Sequence, residues 1–81
     1  MSHYRFEFRE DYADETVDGV ELENDAAAQA EAVEAAREFM TDGIRKGIDR
    51  SGWISRVFDE NGKLVATIKF SDLLEKRGSL Q

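Results

Sequence analysis

The chain has 81 residues, with one Trp, two Tyr and five Phe, 41% apolar side chains and neither cysteine nor proline. That length holds one domain, residues 1–81, and the apolar content supplies a core, which excludes a wholly disordered chain. The missing cysteine removes disulfides, thiolate nucleophiles and cysteine-ligated zinc, and a formal net charge of −7 argues against nucleic acid or an anionic membrane as partner, because phosphate binding rests on clustered Lys and Arg.

Taken in chain order, residues 3–9 alternate. Tyr4, Phe6 and Phe8 share one face and His3, Arg5, Glu7 and Arg9 the other, a period of two that predicts a half-buried strand. An acidic excursion, residues 10–25, follows: Glu10, Asp11, Asp14, Glu15, Asp18, Glu21, Glu23 and Asp25 lie in it without one cation, while residues 26–81 carry nine charges of each sign. Asp18-Gly19 is a turn dipeptide, and Thr16-Val17 and Val20-Glu21-Leu22 beside it can pair as a short hairpin. Asn24 or Asp25 then occupies an N-cap position before an alanine-rich run, which predicts a helix over about residues 25–47. Ala26, Ala30, Val33, Ala36, Met40 and Ile44 recur at spacings of three and four and mark its expected buried stripe, with Phe39 beside it. Arg45 and Lys46 suit the negative end of the helix dipole, and Gly47 suits a left-handed position just past the end.

A polar linker, residues 49–52, leads to a predicted hairpin at about 53–70. Its strands are Trp53 to Asp59 and Leu64 to Phe70, and Asn61-Gly62 is the pair typical of a type I′ turn. Leu64, Ala66, Ile68 and Phe70 are expected on one face of the second strand. Ser71 or Asp72 then caps a short C-terminal helix through Leu73 and Leu74 that ends near Gly78. The expected fold is α+β: a three-stranded, mainly antiparallel sheet, extended by the short hairpin if it forms, with one long helix packed on one face. Phe6, Val33, Met40, Trp53, Val57 and Ile68 are the expected core. A helix of about 22 residues is roughly 33 Å long, more than a seven-residue strand, so one helix end is expected to overhang the sheet.

The strand Tyr4-Arg5-Phe6-Glu7-Phe8, the segment Asp18-Gly19-Val20-Glu21-Leu22 and the helix with Ala28, Ala32 and Ala36 form a pattern. It continues through Trp53, Val57, Asp59 and Gly62 to Ile68-Lys69-Phe70-Ser71-Asp72. This pattern resembles a family of short alphaproteobacterial proteins defined only as a domain of unknown function. The resemblance implies this fold and a bacterial cytoplasmic setting, and names no activity and no catalytic residue. Ser55 departs from it, standing where the family usually carries an aliphatic side chain.

Catalysis is not expected. The single histidine, His3, lies on the charged face of a terminal strand, and no serine sits in a nucleophile-elbow pattern. No glycine-rich phosphate loop is present, so no cofactor is expected. Asp14, Thr16 and Asp18, with Gly19 and Asp25, fall at the first, third, fifth, sixth and twelfth positions of a calcium-loop spacing. Against that reading, the twelfth position is Asp instead of Glu, the eighth is Glu21 where an apolar residue belongs, and a strand precedes the loop. The sheet face opposite the helix is expected to present Ile54, Phe58 and Val65 as an apolar patch beside Arg56, a pattern common at protein interfaces. The expected function is therefore a non-catalytic protein-interaction or regulatory module. Its partner is a second copy or another protein, a basic one suiting the acidic segment. The alternatives are a small antitoxin-like regulator, similar to partial-ribonuclease-H-fold antitoxins in its strand, acidic excursion and alanine-rich helix, and a weak calcium module. No run approaches the ~20 apolar residues of a membrane span and none resembles a secretory leader, so the expected location is the cytoplasm.

Overall fold

The computed structural model describes residues 1–10 and 14–74. Its elements are β1 (Ser2–Arg9), β2 (Asp14–Leu22), α1 (Asp25–Lys46), β3 (Ile54–Phe58), β4 (Leu64–Lys69) and a 3₁₀ turn (Phe70–Leu73). The sheet has four strands in the order β2-β1-β3-β4, and each neighbouring pair is antiparallel. Three strands were expected; the fourth comes from the acidic excursion. Both β2 and β3 oppose β1, so they run in the same direction, and α1 carries the chain across β1 from one to the other.

Asp18-Gly19 does not turn the chain. Tyr4 pairs with Val20 and Phe6 with Val17, so β2 spends one extra residue there, and Gly19 takes a φ of 69°. Such a bulge bends a strand without ending it, and glycine meets the positive φ without steric cost. The bulge also resets the alternation: Glu15 and Val17 before it and Val20 and Leu22 after it pair with residues that face the helix. A strict period of two across Asp18 would have turned one of the two valines outward.

The helix starts where its capping chemistry places it. Asn24 accepts the Ala27 N–H at 2.8 Å through its side chain, which settles the N-cap, and Asp25 instead accepts the Tyr4 hydroxyl at 2.8 Å. That bond to a carboxylate holds the Tyr4 phenol protonated to higher pH than usual. At the far end Gly47 has a φ of 74°, Gly47 N–H bonds Ile44 C=O, and Ile48 N–H bonds Gly43 C=O. This paired closure satisfies carbonyls that the helix leaves open.

The core differs from the expected one by a rotation of α1. Ala28, Ala32 and Ala36 are fully buried with Tyr4, Phe6, Phe8, Val57, Ile68 and Phe70. Ala26 and Ala30 are exposed, and Ile44 is 79% exposed. Alanines at nearly every position of the first turns allow several stripes at helical spacing, and tertiary packing selects one of them. Of the expected core, Phe6, Val57 and Ile68 are buried, whereas Val33, Met40 and Trp53 are half-buried and pack around its margin. Leu64 also departs, at 49% exposed, because the register slips between Val57 (opposite Ala66) and Phe58 (opposite Leu64).

The hairpin loop differs in its turn. Gly62 N–H bonds Asp59 C=O at 3.0 Å and Gly62 has a φ of 81°, but Asn61 does not have positive φ, which a type I′ pair requires. Asp59 organises the loop instead, its carboxylate accepting the N–H groups of Asn61 and Lys63 at 2.9 Å each. After β4 the chain makes a 3₁₀ turn of four residues in place of the start of a helix; the expected continuation towards Gly78 lies outside the described residues.

Arg50 ties the post-helix segment back onto α1. Its side chain is 11% exposed, and one guanidinium nitrogen, Nη1, bonds Phe39 C=O at 2.8 Å and the Asp42 carboxylate at 2.9 Å. Its Cζ also lies 4.9 Å from the centre of the Trp53 ring. Bonds from Arg50 and then Lys46 hold the Asp42 carboxyl below the usual carboxylate range. Gly43 makes this closure possible, since a Cβ there would stand 2.7 Å from Ile48 O and 3.1 Å from Arg50 Cδ.

Two substitutions test this packing. Ser55 is fully buried opposite Phe8 and Ile68, and its hydroxyl has no hydrogen-bond partner among the described residues. Ser55→Ala removes that orphan and is expected to stabilise the fold by about 1 kcal/mol in urea denaturation, where a loss would mean that a buried partner holds the hydroxyl. Gly→Ala inside a helix ordinarily gains about 1 kcal/mol, but Gly43→Ala should lose about 1–3 kcal/mol, because Ile48 and Arg50 must move. A gain at position 43 would show that the segment after the helix is loosely held.

Candidate functional site

A concavity opens where α1 only partly covers β2. The helix seats chiefly over β3, β4 and the 3₁₀ turn. An open groove of about 460 Å³ remains between α1 and β2, floored by Phe6 and Phe8 of β1. Val17 and Val20 form the β2 wall, and Ala35 and Phe39 the helix wall. Glu31, Glu38 and Asp42 stand along the helix rim.

Each wall is fixed by a different device. The bulge at Asp18-Gly19 aims both valines inward, as the pairings with Phe6 and Tyr4 require. Phe39 is held at the junction of an aromatic cluster, its ring centre 5.0 Å from Phe8 in an edge-to-face arrangement, 5.7 Å from Trp53 and 6.5 Å from Phe70. The wall is therefore packed against three neighbouring rings on the helix side. On the β2 side it is an edge strand with Val17 46% exposed. Of the rim carboxylates, Asp42 is engaged by Arg50 and Lys46, whereas Glu31 and Glu38 have no ion-pair partner among the described residues.

The patch expected on the other face is in place but partly covered. Ile54, Arg56 and Phe58 sit at alternate positions of β3, opposite Arg9, Glu7 and Arg5 of β1, and all three are half-buried. The Arg5 guanidinium lies 4.8 Å from the centre of the Phe58 ring, where cation–π attraction holds it, and also pairs with Glu7 at 3.3 Å. Val65 is half-buried and packs against the core. The register slip beside it puts Leu64, in place of Val65, opposite Phe58.

Asp14, Thr16 and Asp18 lie along β2, and Asp25 begins α1. Asp14 pairs with Arg9 at 3.4 Å, Thr16 stands opposite Glu7, and Asp25 holds the Tyr4 hydroxyl. No group of three or more His, Asp or Glu gathers in metal-binding geometry among the described residues. His3 stands between Glu21 (3.4 Å) and Glu60 (3.8 Å), linking β2 to the β3–β4 loop.

The groove residues Val17, Val20, Ala35 and Phe39 were not singled out as a site by the sequence pattern. Their only signal was Val17 and Val20 three residues apart across a glycine, a spacing that fits neither a strand face nor a tight turn. A family model described as a domain of unknown function, DUF6894, matches residues 3–71. No curated protein and no solved structure matches the chain.

Proposed function

The chain belongs to the DUF6894 family, described as a domain of unknown function, and we propose on physical grounds that it is a non-catalytic protein-interaction module. Its contact surface in this reading is the groove between α1 and β2 together with the β2 edge. The observation that carries the reading is an apolar, open groove with aromatic side chains at its floor and wall, beside a strand whose outer edge is unpaired. Apolar concavities of this kind favour occupants that bury side chains, and a free edge adds backbone hydrogen bonds to an extended segment. The patch of Ile54, Arg56, Phe58 and Val65 is the weaker candidate, because Arg5 already covers Phe58 and Val65 already packs inward.

Site-specific cross-linking tests the choice of surface. A photo-reactive residue in place of Val17 is expected to give discrete protein adducts in living cells. The same residue in place of Thr67, which is exposed and opposite Arg56 on the other face, is expected to give none. Adducts at 67 alone, or at neither position, would contradict the proposal.

A further inference from the structure

We infer that the occupant of this surface is a second copy of the chain, docked head to tail, with its β4 edge added to the β2 edge of the first. The inference rests on the interaction reading given above. Three independent features of the sheet point the same way.

The first is charge. β2 carries Asp14, Glu15, Asp18 and Glu21 and no cation, whereas residues 63–69, at the opposite edge, carry Lys63 and Lys69 and no carboxylate. Pairing β2 with β2 would bring two sets of carboxylates together, and like charges across a strand pair are destabilising. Charged edges are a common guard against aggregation. A guard works with either sign, however, and opposite signs on the two edges leave the unlike pairing as the one without repulsion.

The second is direction. Three successive antiparallel steps separate β2 from β4, so these strands run oppositely. A copy in the same orientation therefore presents β4 antiparallel to β2, with its helix on the same side of the sheet, and the antiparallel alternation continues unbroken.

The third is the placement of the groove. Because α1 seats chiefly over β3, β4 and the 3₁₀ turn, the incoming copy brings its helical layer beside the less covered β2. Val17, on the groove wall, is about half exposed in the single chain and lies on the edge and the face that the incoming helical layer would meet. Such an interface is heterologous. It does not close on two copies, and repeats into rings or open chains.

Sedimentation velocity with complementary charge reversals tests this. The wild type is expected to grow past a dimer between micromolar and millimolar concentration, and less so in high salt. The exposed positions chosen lie outside the intramolecular ion pairs, and circular dichroism checks folding: Lys63→Glu with Lys69→Glu in one variant, Glu15→Lys with Asp18→Lys in the other. Each variant alone should associate at least about tenfold more weakly, and an equimolar mixture of the two should recover assembly. A wild type that stays monomeric, stops at a dimer, or is matched by either variant alone would overturn the inference, as would a mixture that fails to recover. A monomeric wild type whose Val17 position cross-links to another protein would overturn the second copy as occupant and leave the interaction module standing.

Discussion

The structure depends on a small-against-large seam between α1 and the sheet. Tyr4, Phe6 and Phe8 project from the central strand β1, and Ala28, Ala32 and Ala36 are buried with them at successive fourth positions of the helix. Aromatic side chains on one surface fill the layer between helix and sheet, so the helix must offer little volume in return. Three alanines meet that condition over the first three turns. Near the other end Gly43 meets it against Ile48 and Arg50. A nine-kilodalton chain builds its core this way with few large helix residues, and reserves Phe39 for the join between β1, Trp53 and Phe70.

The groove follows from where that seam puts the helix. With α1 seated more towards β3 and β4 than towards the edge strand β2, Val17 and Val20 line an open groove over Phe6 and Phe8 instead of a closed core. The bulge keeps both valines on that side. The same strand concentrates carboxylates; one is paired with Arg9, and Glu21 lies 3.4 Å from His3. One short segment therefore supplies the apolar wall, the unpaired edge and the negative charge of the proposed contact surface, and the opposite edge supplies lysines.

Much of the fold was legible because its signals are local. The aromatic alternation of β1, an N-cap at Asn24 or Asp25 (Asn24 in the structure), the left-handed Gly47 and the two strands around Gly62 each follow from a few neighbouring residues. The family resemblance drawn from the pattern between Tyr4 and Asp72 is matched by the domain of unknown function over residues 3–71. What escaped was non-local. An alanine-rich run has no size contrast, so its buried stripe is set by the aromatic face it meets, and Ala26, Ala30 and Ile44 were assigned inward when they lie outward. Asp18-Gly19 carries the same residues as a turn, and only pairing with β1 makes it a bulge within a nine-residue strand. The groove was hidden by both errors, since it lies between the strand that was split and the helix that was rotated.

The seam is tested most directly by comparing two leucines on α1. Ala32→Leu places extra volume at a fully buried position of the core, and Ala30→Leu places it on the exposed side. Equilibrium denaturation should show Ala32→Leu losing about 1–3 kcal/mol, as overpacking of a filled core does, and Ala30→Leu changing stability by less than about 0.5 kcal/mol. A larger loss at position 30 than at position 32 would contradict the seam, and with it the position of the groove.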